Sequence, residues 1–207
     1  MMIVLFFLSL VVRAEMVTRT ITIDFQDRRP DDTSLVWKGI DLETGVVTVD
    51  PKFNAPGWQF KLRAALGATN GGSVALFKDR GFEDVKWAPD SPADYTADSI
   101  SDPWGPAPKD TYNLKLNDAF DYYMTQGHLF GLQPYVYILK TAEGHFAKIQ
   151  FIDYIKNGHA IRAIPEKDVL GRVRMKNRNI KVASEDALVH LTYLYKYNTI
   201  QGDLKLE

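Results

Sequence analysis

Between Pro134 and Tyr154 the chain reads PYVYILKTAEGHFAKIQFIDY, and this stretch limits the fold more than any other. It is written as a β-hairpin. Tyr135 to Lys140 is a run of β-branched and aromatic residues, and Phe146 to Ile152 alternates apolar with polar. Between them, Thr141-Ala142-Glu143-Gly144 is a turn with glycine where a positive φ is wanted. On the second strand Ala147, Ile149 and Phe151 share one face, while Lys148 and Gln150 point to the other. The first strand is apolar on both faces, which places it inside a sheet covered on both sides.

The N-terminus sets the compartment. Met1 to Val12 is almost purely apolar and is followed by Arg13-Ala14, the pattern of a signal peptide cleaved after Ala14. A buried N-terminal strand is the competing reading. The run is too short for a bilayer, which needs about 20 apolar residues, and no transmembrane segment follows. The chain contains no cysteine, so disulfides, a lipid-modified cysteine, thiol nucleophiles, cysteine-held zinc and iron–sulfur clusters are excluded. An ordinary hydrophobic core must hold residues 15–207 together, as one domain or as one domain with a small appendage. Lys and Arg number 25 against 26 Asp and Glu, so there is no basic footprint for nucleic acid.

Strand signals recur along the rest of the chain. Thr18 to Phe25 alternates strictly. Val36–Asp41 and Val46–Val49 flank Glu43-Thr44-Gly45 as a second hairpin, and Trp58–Ala64 and Ser73–Phe77 flank the glycine-rich stretch 67–72. Residues 79–110, rich in Pro, Asp and Ser, form a long irregular loop that is either functional or a cover for the sheet. A strand over Asp118–Met124 follows. In the tail, Gly171–Lys176 precedes a polar Asn-Arg-Asn link. Leu188–Asn198 sets Val189, Leu191, Tyr193, Tyr195 and Tyr197 on one side at period two. A helix capped at Ser184 competes for that last run, but its Tyr and Thr content favours a strand. The fold class expected is all-β, mainly antiparallel.

The order of these pieces resembles the HmuY-like family of exported bacterial haem-binding proteins. VTRTITIDF is similar to the family's first strand, WKGIDLETGVVTV to its next hairpin, and GWQFKLRA with NGGSVALFKDRGFEDV to its central block. YVYILKTAEGHFAKIQFIDY resembles its near-terminal hairpin, and LTYLYKYN its closing strand. Residues 160–187 read as an insertion. Trp58-Gln59 replaces the family's Trp-Asp pair, and the anchor cysteine of its lipoprotein members is absent. The resemblance implies a protein that is periplasmic, on the cell surface or secreted, and that binds haem for iron acquisition. Its expected partners are haem and an outer-membrane haem transporter or a host haemoprotein.

Family members hold haem with two axial His or Met side chains from two mid-chain loops. Between Phe77 and Tyr123 this chain has neither, so one ligand loop is empty. The other reads Tyr122-Tyr123-Met124-Thr125-Gln126-Gly127-His128-Leu129. An imidazole or a thioether can ligate haem iron, which makes His128 the first candidate and Met124 the second. Tyr122, Tyr123, Phe130 and Trp104 are candidate pocket walls. Two loops, 79–110 and 122–130, are expected to pinch the ligand at one end of the fold. His145 reads as a solvent-facing turn residue, and His159 lies in an Asn157-Gly158-His159 turn. No Gly-x-Ser-x-Gly elbow, phosphate cradle or His-x-His metal spacing occurs, so no enzyme is expected. The alternative to haem binding is a non-haem β-domain, periplasmic or on the surface, that keeps the scaffold and has lost the site.

Overall fold

The computed structural model describes residues 16–25, 36–63, 65–100, 111–167, 169–182 and 189–207. The proposed signal peptide, the Ser184 cap and Trp104 lie outside them. In chain order the first strands are β1 (Met16–Asp24), β2 (Lys38–Ile40), β3 (Val47–Val49), β4 (Phe60–Arg63), β5 (Leu66–Thr69) and β6 (Ser73–Phe77). Three two-residue strands follow: β7 (Thr96–Ala97), β8 (Ser99–Ile100) and β9 (Thr111–Tyr112). A single helical turn, α1 (Leu114–Asn117), leads into β10 (Phe120–Tyr123) and β11 (Leu129–Leu132). The chain closes with β12 (Val136–Lys140), β13 (Phe146–Lys156), β14 (His159–Lys167), β15 (Val173–Lys181) and β16 (Val189–Asn198). The fold is all-β, and every strand pairing among the described residues is antiparallel.

The hairpin at 134–154 sits in the middle of the main sheet, whose order is β1-β16-β13-β12-β6-β7. Its turn closes as the sequence requires: Thr141 N–H reaches the His145 carbonyl at 2.9 Å, and Gly144 takes φ +85°. β12 is covered on both sides. Tyr137 and Leu139 face one core, with Leu42 and with Ile40, Phe60 and Leu62 of the β3-β2-β4-β5 sheet, while Val136 and Ile138 face a second core. β16 is a strand, with Val189, Leu191, Tyr193, Tyr195 and Tyr197 all buried. Phe60 meets Tyr193 edge-on at 5.5 Å between ring centroids, joining the two sheets.

The second core is roofed by the first part of the Pro-rich stretch and by the chain's last residues. Phe82, Val85 and Ala88 pack with Leu206, and Ala88 N–H to Leu204 O (2.8 Å) and Leu206 N–H to Lys86 O (2.8 Å) tie the two segments together. So residues 82–88 of this stretch cover the sheet rather than project from it, and residues 101–110 lie outside the described residues. Beneath this roof Lys148 is fully buried. Its ammonium donates to the Phe82 and Val85 carbonyls at 2.8 and 3.0 Å and lies 4.5 Å from the Phe82 ring centre.

Three sequence expectations are corrected. The glycine-rich stretch 67–72 contains strand β5: a side chain on Gly67 would meet Leu116 at 2.8 Å, so that glycine marks close packing inside a strand. The polar Asn177-Arg178-Asn179 is not a link but part of β15, paired residue for residue with β14. His145 does not face solvent; it is half-buried, its ring 5.8 Å from that of Tyr197. Residues read as an insertion form the β14–β15 hairpin, which leaves β13 through the Asn157-Gly158 turn and packs on β11.

Candidate functional site

The segment 122–130 is the open end of the β10–β11 hairpin. Tyr122 pairs with Phe130 and Tyr123 with Leu129, and a 3-10 turn over Met124–Gln126 joins the strands. Gly127 and His128 both adopt left-handed backbone, with φ of +88° and +56°. For glycine this is free; for histidine it costs roughly 1–2 kcal/mol. Two successive left-handed residues turn the chain sharply, so His128 emerges on the same face as Tyr122 and Phe130.

On that face a ladder of rings runs outward from the core. Phe120 stands 5.3 Å from Phe151 and Phe130 5.6 Å from Tyr154, then Tyr122 lies 5.2 Å from Phe130 and His128 5.8 Å from Tyr122. Phe151 and Tyr154 are buried, Phe120 and Phe130 are half-buried, and Tyr122 and His128 are exposed. At the end of the ladder the Tyr122 hydroxyl is hydrogen-bonded to Nδ1 of His128. In the tautomer that donates Nδ1–H to the phenol oxygen, Nε2 keeps its lone pair and faces outward as a ligand atom.

The opposite face of the hairpin is braced by β15. Gln126 accepts the Asn179 backbone N–H at 2.8 Å and receives its side-chain amide at 2.9 Å on the main-chain carbonyl. The Asn177 amide donates to the Tyr123 hydroxyl, and Lys156 donates to the His128 carbonyl at 3.2 Å. A cleft of about 430 Å³ opens here, lined by Gly127, Leu129, Lys156, Asn157, His159 and Asn179. Its lining is mostly polar. Leu129 rather than Phe130 lines it, so it lies away from Tyr122.

The sequence candidates therefore separate. Tyr122, His128 and Phe130 come together; Tyr123 turns to the other face by strand alternation and is bonded to Asn177. Met124 is 64% exposed, and its carbonyl accepts the His128 N–H at 3.4 Å, so the two candidate ligands leave from the ends of one tight turn. Such a turn presents one imidazole with an apolar wall beside it; it does not set two donors on opposite sides of a flat macrocycle. The residues present fit one axial bond and one ring-lined wall. Gln126, Lys156 and Asn179 are not singled out by sequence reasoning, although the alternation of Asn177 and Asn179 with charged residues is a strand signal in itself. Among the described residues no cluster of three or more His, Cys, Asp or Glu side chains is placed to hold a metal ion, and no helix is long and apolar enough to cross a membrane.

The family model for HmuY protein matches residues 34–167. The chain belongs to the HmuY family. The matched region contains the β10–β11 hairpin and ends at the last residue of β14. Among solved structures, the apo HmuY analogue of Tannerella forsythia is similar with a TM-score of 0.57 at 19% identity, covering 90% of this chain and 98% of that one. A proposed HmuY-like haem-binding protein of Bacteroides vulgatus gives 0.54 at 19% identity, with 86% and 90% of the two chains covered. A proposed lipoprotein of Bacteroides fragilis gives 0.54 at 15%, with 86% and 88% covered. At these identities the likeness is one of HmuY fold. No curated protein matches the sequence.

Proposed function

We propose that this HmuY-family chain is an exported haem-binding protein that serves bacterial iron acquisition, with His128 as its first axial ligand. One observation carries the assignment to His128: its imidazole ends a ladder of aromatic rings and is held through Nδ1 by Tyr122, which in the Nδ1–H tautomer leaves Nε2 for iron. A hydrogen-bonded outer nitrogen is what orients most metal-binding histidines. Bound haem would supply the iron, which Nε2 of His128 would ligate. Tyr122 and Phe130 would cover part of the porphyrin by apolar contact, and Met124, on the same turn, would be an alternative donor to His128 rather than its partner. Export, and exchange of haem with an outer-membrane transporter or a host haemoprotein, belong to the same proposal. The chain works by binding, and no catalytic step is assigned to it.

The test is an absorbance titration of the mature protein with haemin. A sharp Soret band that His128→Ala abolishes, in a variant that melts like wild type, is the expected result. Free-haemin absorbance unaltered at micromolar protein would sink the proposal.

A second reading is favoured by a specific observation: no His or Met stands between Phe77 and Tyr123, and Met124 shares a tight turn with His128. On that reading the domain keeps the HmuY scaffold without haem. The same titration decides between them.

A further inference from the structure

The β14–β15 hairpin is unlike the rest of the chain in charge and in what it exposes. From Arg162 to Lys181 the sequence holds seven basic and two acidic residues, whereas the remainder holds 18 basic against 24 acidic from totals of 25 and 26. A chain of net charge −1 therefore carries a strongly cationic arm on an anionic body. At the tip of the arm Val169 is 101% exposed and Leu170 71% exposed, and Val173 and Met175 follow at 63% and 64%.

The register sorts these side chains onto two faces. Met175 lies opposite Pro165 and Val173 opposite Lys167, so Pro165, Val173 and Met175 continue the aliphatic tip along one face. Arg174, Lys176 and Arg178 lie on the other, opposite Glu166, Ile164 and Arg162. Glu166 engages Arg178 through both carboxylate oxygens, the longer contact 2.9 Å, and Lys176 at 3.6 Å, as side chains on one face do. An exposed aliphatic tip on a hairpin with a net excess of basic residues is suited to one kind of surface. Aliphatic groups enter the acyl boundary while long basic side chains reach back to phosphate.

We infer that the β14–β15 hairpin docks this protein onto an anionic lipid surface, with Val169 and Leu170 entering the interface and the flanking Arg and Lys side chains binding lipid phosphates. This is independent of whether haem binds at His128. Each basic side chain near an anionic bilayer contributes on the order of 1 kcal/mol, so removing two weakens binding by roughly tenfold or more.

The experiment is co-sedimentation of the full chain with phosphatidylcholine vesicles, with and without about one-third phosphatidylglycerol. The expected result is binding to the anionic vesicles only, reduced by salt. It should weaken by roughly tenfold or more both in Arg172→Gln/Arg174→Gln and in Val169→Ser/Leu170→Ser. Because the tip is exposed, these variants should melt like wild type. A Leu170→Trp variant gives a gain of signal: the emission of the introduced indole should shift to the blue on anionic vesicles. Absence of vesicle binding, wild-type binding by either double variant, or an unshifted emission from the Leu170→Trp variant overturns the inference. Retention on a polyglutamate matrix without vesicle binding also overturns it, in favour of an acidic protein partner.

Discussion

The Tyr122 hydroxyl and the Nδ1 atom of His128 share a hydrogen bond across the open end of the β10–β11 hairpin, and their ring centres lie 5.8 Å apart. A solvent-exposed imidazole is ordinarily free to rotate; this one is restrained in direction by the phenol. Tyr122→Phe keeps the ring and removes only the restraint. Haem affinity should fall by about 10–100-fold, the usual cost of losing an outer hydrogen bond to a ligating histidine. Thermal stability should stay within about 0.5 kcal/mol of wild type, since the hydroxyl is at the surface. Equal Soret titrations for the two proteins would remove Tyr122 from the site.

His128 is held at φ +56°, a backbone region that only glycine enters freely. Substituting alanine deletes the imidazole and keeps the strain, whereas glycine deletes both. His128→Gly should therefore be more stable than His128→Ala by roughly 1 kcal/mol, with neither binding haem. Denaturant unfolding of the pair measures this, and alanine being the more stable would argue against a left-handed residue here.

Lys148 is buried and its ammonium satisfies two main-chain carbonyls, while burial lowers its affinity for the proton. Lys148→Met preserves the packed stem and leaves the Phe82 and Val85 oxygens unpaired. The expected loss is about 1–3 kcal/mol, read by denaturant unfolding. Hydrogen exchange should also rise first in residues 82–88. A neutral or stabilising result would show that burying the charge costs as much as its hydrogen bonds contribute.

Alkaline pH should unfold the protein through its tyrosines. Burial pushes Tyr195 and Tyr197 up to about 12 and Tyr193 further upward, from an ordinary value of 10.0. The native state thus holds these protons more tightly than the unfolded chain. Stability is intact below pH 10 and is lost as pH rises from 10 through 12. The Tyr193 hydroxyl has no hydrogen-bond partner among the described residues, so Tyr193→Phe should be neutral or stabilising at pH 7 and should raise the alkaline midpoint. A midpoint unchanged in circular dichroism would assign the transition to other groups.

Much of the fold is legible in the sequence because period-two alternation is a local signal. The turn at Gly144, the two-faced apolar run of β12 and the buried stripe of β16 follow from residues next to one another in the chain. Gly67 reads as a loop residue because its reason for being glycine is Leu116, far along the chain and packed where a side chain would be. The Asn177-Arg178-Asn179 run reads as a link for the same kind of reason: its asparagines are spent on Tyr123 and Gln126, across a gap that only the folded chain closes. At the candidate site the sequence supplies residue types, but not which of two neighbouring tyrosines faces His128. The pairing of Tyr122 with Phe130 decides that.

The roof over the second core is partly the tail itself: Leu206 is fully buried one residue from Glu207, and Lys205 bridges to Trp87. Loss of the Leu206 side chain would thus act like a mutation deep in the protein, although the residue belongs to no strand of the sheets. The integrity of the second core is therefore shared between the main sheet and a short strap at 204–206, and a change in the strap would be felt beneath residues 82–88.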